Sequence, residues 1–538
     1  MTASTTTGNL PSAGPGTAAN TANAVREALS RLQEPCHVVS IGDRVSIAAG
    51  VPSGARLLAV LPPCVPQSLG SAAFRATHRV KLAYLAGGMA RGIASAELVG
   101  GMARAGLLAS FGAGGLSLPD VERAAATLAS TATGAPYLMN LLHAPHDPGL
   151  EQHTLDLYTR YRVPGIEASA FMDLTPALVR YRLSGLTRHR EGIAISHRVM
   201  AKVSRLEVGT KFLSPPPPDI VAALLNSGAV SREQAELARH VAMADDITVE
   251  ADSGGHTDAR PLTALMPQFI EERCRLSVGH RSAAAVRLGA AGGIGTPYAA
   301  AAAIALGADY VVTGSINQIS SEAAVDDHAK TLLRAAGPTD FAMAPAADMF
   351  EIGAQVQVLK RGTLFAQKAK RLRDLFTRYR GLDDLSGAER EWLEQQVLRR
   401  PVDEAWADVV DYLARHQPGA LANAQTDPKA KMALLFRWYL GLSSRWAQEG
   451  DTDRVADYQL WAGPALGAFN AWVVAAGLPH LQHASAVDTA AAIMWGAAYL
   501  TRINQLRSLG YQVPAEAAVA RPVRDALHKL SVRVEPAL

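Results

Sequence analysis

Apolar residues along the middle of the chain come in eight short runs: KLAYLAGG, LLASFGAGG, PYLMNLLH, GIEASAF, GIAISHRVM, DITVEAD, AVRLGA and DYVVTG. Each run has strand length, and most close on glycine or a small polar residue. The stretches between them, such as ASAELVGGMARAG and TPYAAAAAIALGAD, carry apolar positions three and four apart or a string of strong helix formers. Strand, glycine loop, helix, strand is the unit of a parallel sheet, because parallel neighbours need a crossover between them. Eight such units within about 250 residues is the count of a (β/α)8 TIM barrel, an α/β fold whose chemistry sits at the C-terminal ends of its strands. A doubly wound sheet is the competing fold, but it places its glycine fingerprint after the first strand, and the glycine loops here concentrate late.

The same pattern divides the chain. Residues 1–22 are rich in Thr, Ala, Gly and Asn, have little to bury, and read as a disordered leader. Residues 23–77 form an N-terminal flanking module, a short helix followed by strand-like runs around Gly42 and Asp43. The barrel occupies 78–335, with an excursion at about 205–245. There Pro215 to Pro218 forbid helix and central strand alike, so the excursion is expected to pass over the barrel mouth as a lid or substrate wall. From 336 to 538, long amphipathic segments predict a helical C-terminal extension packed on the barrel, with Trp438, Tyr439 and Trp446 as core residues.

Candidate chemistry concentrates in the last three barrel units. Gly292 and Gly293 follow the seventh strand, and Gly314 and Ser315 follow the eighth; these are the loops with which barrels hold phosphate. Glycine lets backbone N–H groups approach an anion, and a helix beginning near Thr296 aims its positive end at the same point. After the sixth strand, ADSGGHTD sets His256 behind Gly254 and Gly255, and imidazole suits proton transfer near neutral pH. His143, His146, His153 and His197 lack a companion carboxylate at metal-ligand spacing, so no metal site is expected.

Composition narrows the partners. With 49% hydrophobic and 19% charged residues among 538, the chain is ordinary for a globular protein, and a formal charge of +3 is too small to imply a nucleic-acid binder. Cys36, Cys64 and Cys274 include no CxxC, which argues for reduced thiols and a cytoplasmic protein rather than a disulfide framework. The N-terminus lacks a secretion-signal pattern and no run has membrane-spanning character. One local charge concentration stands out: Lys360, Arg361, Lys368, Lys370, Arg371, Arg373, Arg378 and Arg380, expected on a helix face.

Several of these motifs carry a family resemblance. ADSGGHTD (251–258), LGAAGGIGT (288–296), TGSINQ (313–318), AYLAGGMARGIAS (83–95) and FGAGG (111–115) resemble the PfaD family. These are trans-acting FMN-dependent enoyl reductases of polyunsaturated fatty acid and trans-acyltransferase polyketide synthesis, related to nitronate monooxygenases (2-nitropropane dioxygenases). NLLHAPHDPGLEQHTLDLY (140–158) and LKRGTLFAQKAKRL (359–372) are similar to this family rather than to its smaller relatives. The resemblance implies FMN, its phosphate held by Gly292, Gly293, Gly314 and Ser315 and its ring laid against Gly87, Gly88 and Met89. It further implies Asn140 and Lys202 at the ring's polar edge, Gly255 beside the ring, and His256 as the proton-transfer residue. NADPH or NADH would be the reductant, and an acyl carrier protein bearing an enoyl thioester the partner; a homodimer is compatible, and neither nucleic acid nor membrane is expected. The eighth-strand motif departs from the GTRF form common in smaller relatives, which throws phosphate binding onto backbone and Ser315. Nitronate monooxygenase activity is the alternative, since it shares the fold, the flavin and the histidine.

Overall fold

The structure, a computed structural model, describes residues 15–522 apart from His146 and Glu191. The expected leader therefore lies outside the described residues up to position 14, and from there it departs from expectation, because the helix Pro15–Ser30 opens inside it. Proline's fixed φ suits a first helical turn, and the helix is held by burial of Val25, Ala28 and Leu29. Strands β1 (Cys36–Ile41), β2 (Arg44–Ala48) and β3 (Arg56–Leu61) make an antiparallel sheet in the order β2-β1-β3, and their buried residues join the same core as the barrel.

The barrel strands are β4 (Tyr84–Ala86), β5 (Leu108–Phe111), β6 (Leu138–Leu142), β7 (Gly165–Ser169), β10 (Arg198–Val203), β11 (Asp246–Glu250), β13 (Arg287–Ala291) and β14 (Tyr310–Thr313). All pairings are parallel, and β14 pairs with β4 to close the ring. The fifth strand lies later than expected. The run GIAI is instead β9 (Gly192–Ile195), paired in an antiparallel hairpin with β8 (Leu186–His189). The chain turns at His197, whose ring stacks on Tyr181 at 4.5 Å, and only then enters the barrel.

Leu85, Leu108, Leu138, Met200, Tyr310 and Val312 fill the barrel interior. Its N-terminal end is plugged by the helix Ala72–His78: Phe74 stacks on Tyr310 at 4.3 Å, and His78 Nε2 lies 2.7 Å from Asp246 Oδ2. Asp246 is wholly buried and also accepts from Arg287, at 2.5 and 2.9 Å. Burial works against its charge, but His78 and Arg287 prevail and hold the carboxyl below its ordinary pKa.

The excursion does not cover the mouth. Helix Leu206–Leu213 descends the outside of the barrel, and Ser214 at its end accepts the Met243 N–H at 2.9 Å, three residues before β11 begins. The proline run therefore starts at the N-terminal end. The short helices beyond it pack beside helix Pro176–Ser184 and the β8–β9 hairpin, with Gln234 Nε2 donating to Ser184 O at 3.3 Å.

The C-terminal region is not wholly helical. β12 (Gly255–His256), β15 (Phe341–Pro345) and β16 (Gln355–Leu359) form a sheet in the order β12-β16-β15. The alternation in QVQVL is a strand period, burying Val356 and Val358, and the basic helix begins only at Phe365. These strands and the helices Phe365–Arg378, Val402–His416 and Pro428–Glu449 enclose a second core that includes Phe350, Phe436 and Tyr439, with Trp438 and Trp446 packed against it. Inside it Asp457 is fully buried among Lys368 (2.5 Å), Tyr439 (2.9 Å) and Arg454 (3.2 Å). The last helix, Ala486–Ser508, returns to the barrel, and its buried Arg502 donates to the carbonyls of Leu29, Arg31, Leu32 and Glu34.

Candidate active site at the barrel mouth

Inward positions alternate along a barrel strand, so residues two beyond the apolar interior layer form the floor of the C-terminal mouth. In five successive strands that floor is polar: Ser110 on β5, Asn140 on β6, Glu167 and Ser169 on β7, Lys202 on β10 and Glu250 on β11. Buried polar groups need partners, and most have them. Asn140 Nδ2 donates to Ser169 Oγ at 2.8 Å and to Glu167 O at 3.1 Å. Lys202 Nζ stands 3.2 Å from Glu250 Oε1, which also accepts from Ser253 Oγ at 3.3 Å. Burial opposes the Lys202 charge, yet Glu250 and Glu167 outweigh it and raise the ammonium's pKa above the usual lysine value. Glu167, 0% exposed, accepts the Gly88 N–H at 2.9 Å and so pins the loop of Gly87, Gly88 and Met89. Met89 is half-buried and packs against the main core. Two buried atoms of this floor, Glu167 Oε1 and Ser110 Oγ, have no partner within the described residues.

The glycine loops lie on the next two strands. Gly292 has φ +85°, and a Cβ there would fall 2.6 Å from the Ala251 carbonyl carbon, so glycine alone fits. Gly293 (φ +73°) and Gly314 both border open space. Thr296 Oγ1 accepts the Ala299 N–H at 3.3 Å and caps the helix Pro297–Ala305. An unexpected wall completes this side: Gln318 Nε2 donates to Trp461 O at 2.6 Å, Gly254 packs on Ala462, and the Gly463 N–H donates to Ser315 Oγ at 3.3 Å. Gly463 opens the helix Pro464–Ala475 with no side-chain cap, bringing a second helix N-terminus beside Ser315. GP followed by a helix-forming run in WAGPALGAF is the signal that could have found it, since GTPYAAAA has the same form.

His256 stands on the rim, half exposed, on β12, where it pairs with Val356. Its Nε2 lies 2.8 Å from Asp348 Oδ1, in the connection between β15 and β16. Partial desolvation opposes the Asp348 charge, although its side chain is 60% exposed, and the bond to His256, its charge and nearby backbone N–H groups bring the carboxyl below its ordinary value. His143 does have a carboxylate partner: Nδ1 lies 3.2 Å from Glu151, and the ring stacks on Phe171 at 4.8 Å. His146 lies outside the described residues, and among these no group of three or more His, Cys, Asp and Glu is arranged to hold a metal. Also among them, no helix is long and apolar enough to cross a membrane.

The expected residues thus fall into three groups at one end of the barrel: Gly87, Gly88, Met89, Asn140 and Lys202 around Glu167; Gly292, Gly293, Gly314 and Ser315 at the late loops; Gly255 and His256 on the rim. Glu167, Glu250 and Asp348 were not expected. The first two are visible afterwards as acids in the otherwise apolar runs GIEAS, which has one, and DITVE, which has a second in Asp246; a strand buried on both faces should carry none.

Comparison with known proteins bears on the fold and the family. Residues 379–458 match the family model described as [Acyl-carrier-protein] S-malonyltransferase, inserted helical domain. The chain is 46% identical over 410 residues to the polyketide biosynthesis protein PksE of Bacillus subtilis, covering 76% of this chain and 53% of that protein. It is 44% identical over 457 residues to a polyunsaturated fatty acid synthase subunit of a Thraustochytrium species, covering 84% of this chain but 30% of that protein. The chain thus spans about half or less of these relatives. The enoyl reductase domain of MlnA from the macrolactin biosynthesis cluster of Bacillus amyloliquefaciens superposes with a TM-score of 0.77 at 36% identity, over 82% of this chain and 100% of that domain. Matched along the whole of that domain, the chain belongs to the PfaD family of enoyl reductases.

Proposed function

We propose that the chain is a trans-acting, FMN-dependent enoyl reductase that saturates the 2,3-double bond of an enoyl thioester on an acyl carrier protein, at the expense of NADPH or NADH. The observation that carries the reading is the polar floor with its two unpartnered buried atoms, Glu167 Oε1 and Ser110 Oγ, beside glycine loops that border open space. Such an arrangement suits a planar group with a polar edge and a phosphate tail. Gly292, Gly293, Gly314 and Ser315 would hold the phosphate, and Gly87, Gly88, Met89, Asn140, Lys202 and Gly255 the ring. When bound, FMN supplies two-electron hydride chemistry between nicotinamide and acyl substrate. The net reaction leaves a hydride equivalent on Cβ and a proton on Cα. The chain's own part is that proton: with Nε2–H of His256 held by the Asp348 carboxylate, the imidazolium would give its Nδ1 proton to Cα and be left as the neutral Nε2–H tautomer.

The test is anaerobic. Denaturation of the purified protein should release FMN, NADPH or NADH should bleach its visible band, and a 2-enoyl thioester should restore it. A colourless protein after reconstitution with FMN removes the flavin. Bleaching by an alkyl nitronate, with indifference to both nicotinamides, assigns nitronate monooxygenase instead.

A further inference from the structure

Lys202 is the cation on the polar floor, and it is not alone there. Glu250 holds its ammonium at 3.2 Å, and Glu167 lies one strand away on β7, its backbone paired with Met200, two residues before Lys202. Both carboxylates are withdrawn from solvent, Glu167 wholly and Glu250 to 22%. One oxygen of Glu167 is spent on the Gly88 N–H, and the other has no partner among the described residues. A lysine needs one carboxylate for neutrality, and Glu250 supplies it; Glu167 is a second on the same floor.

We propose that Glu250 neutralises Lys202 while Glu167 leaves the floor of the mouth with one net negative charge, and that this charge makes a bound flavin harder to reduce and, once reduced, a stronger hydride donor. The inference rests on the flavin reading of the site. In a site with few solvent dipoles a unit charge acts strongly on its neighbours. An electron pair added beside a net negative floor is disfavoured, whereas beside a neutral lysine–carboxylate pair it is not. Glu167 is then a positioning residue that also sets the field: its hydrogen bond fixes the Gly88 loop, and its charge is the one that Lys202, paired with Glu250, does not offset.

The experiment is spectroelectrochemical titration of the flavin-loaded protein. Glu167→Gln and Glu250→Gln keep shape and remove charge, so each should raise the flavin midpoint potential; Lys202→Met should lower it, and Lys202→Met with Glu250→Gln should return it toward wild type. As an independent readout, binding of sulfite to the oxidised flavin should tighten about tenfold in each Glu→Gln variant, since a more electrophilic ring accepts the anion more readily. An unchanged potential and sulfite affinity in both single variants, with flavin content preserved, would overturn the charge argument while leaving the flavin in place. If Glu167→Gln loses flavin, Glu250→Gln, which bonds no loop backbone, decides the matter alone. A wild-type protein that binds no flavin at all overturns both readings.

Discussion

At the scale of single residues, the functional reading turns on His256 and the carboxylate that holds it. An imidazole half exposed on a rim samples several orientations, and the Asp348 bond at 2.8 Å selects one of them and one tautomer. His256→Ala is expected to lower the rate of the oxidative half-reaction with an enoyl thioester by about 100-fold, the usual scale of a lost proton donor. Asp348→Asn keeps the ring and loses its orienting charge, so it should fall between, about tenfold down. Flavin reduction by nicotinamide, which needs no proton on Cα, should be nearly unchanged in both. Stopped-flow measurement of the two half-reactions separates these outcomes. Equal losses in both half-reactions would show that His256 holds the ring rather than supplying the proton. His256 was legible in the sequence because GGH after a strand is a local pattern. Asp348 was not, since 92 residues separate the pair and nothing in ADMFEIG marks that acid.

Elements decide whether the late loops can hold an anion. Gly292 is locked by the Ala251 backbone, so Gly292→Ala should disturb the loop itself. Gly314 has a φ of −127°, outside the left-handed region, and nothing lies within 4 Å of where a Cβ would stand, so there is room for a side chain. Gly314→Val is therefore expected to fold as wild type, by circular dichroism and melting temperature, while losing most of its flavin. Full flavin content in this variant would show that the eighth-strand loop does not meet the phosphate. The plug at the opposite end, helix Ala72–His78 against β11 and β13, makes a different prediction. The folded Asp246 pKa lies below its unfolded value, so its stabilising contribution is complete above about pH 4 and is lost as pH falls through the lower folded value. Asp246→Asn leaves Arg287 without its buried carboxylate, should cost about 3 kcal/mol at neutral pH, and should flatten the acid limb of the stability curve. Denaturant titrations between about pH 3 and pH 7 measure both.

For the whole molecule, the second core and its β12-β16-β15 sheet bring the basic helix to the same end of the barrel as His256. Not all of its cations are available to a partner: Lys368 is buried on Asp457, and Arg373 lies against Phe350 and Phe376. Lys360, Arg361, Lys370, Arg371, Arg378 and Arg380 remain exposed, Arg371 stacked on Trp392 at 4.0 Å. If an acidic carrier protein docks there, Lys370→Glu with Arg371→Glu should lower kcat/KM about tenfold on a carrier-bound enoyl group and leave a small pantetheine thioester unaffected. Wild-type activity on the carrier substrate should also fall with salt. Equal activity of the two proteins on the carrier would make the helix purely structural. The sequence by itself determined the eight-stranded barrel, the glycine loops at its late strands and the imidazole on its rim, because strand period, helix formers and glycine turns are local and survive without their partners. It placed the fifth strand early and read QVQVL as helix where an apolar run was shared between two neighbours or alternated only briefly. Only the tertiary structure decided that Glu167 lies beneath Gly88, that Asp348 holds His256 and that Gly463 meets Ser315, pairs separated by 79, 92 and 148 residues. Such contacts exist because closing a barrel and docking a helical region on it bring distant loops to one end, a geometric consequence that leaves no periodicity in the chain.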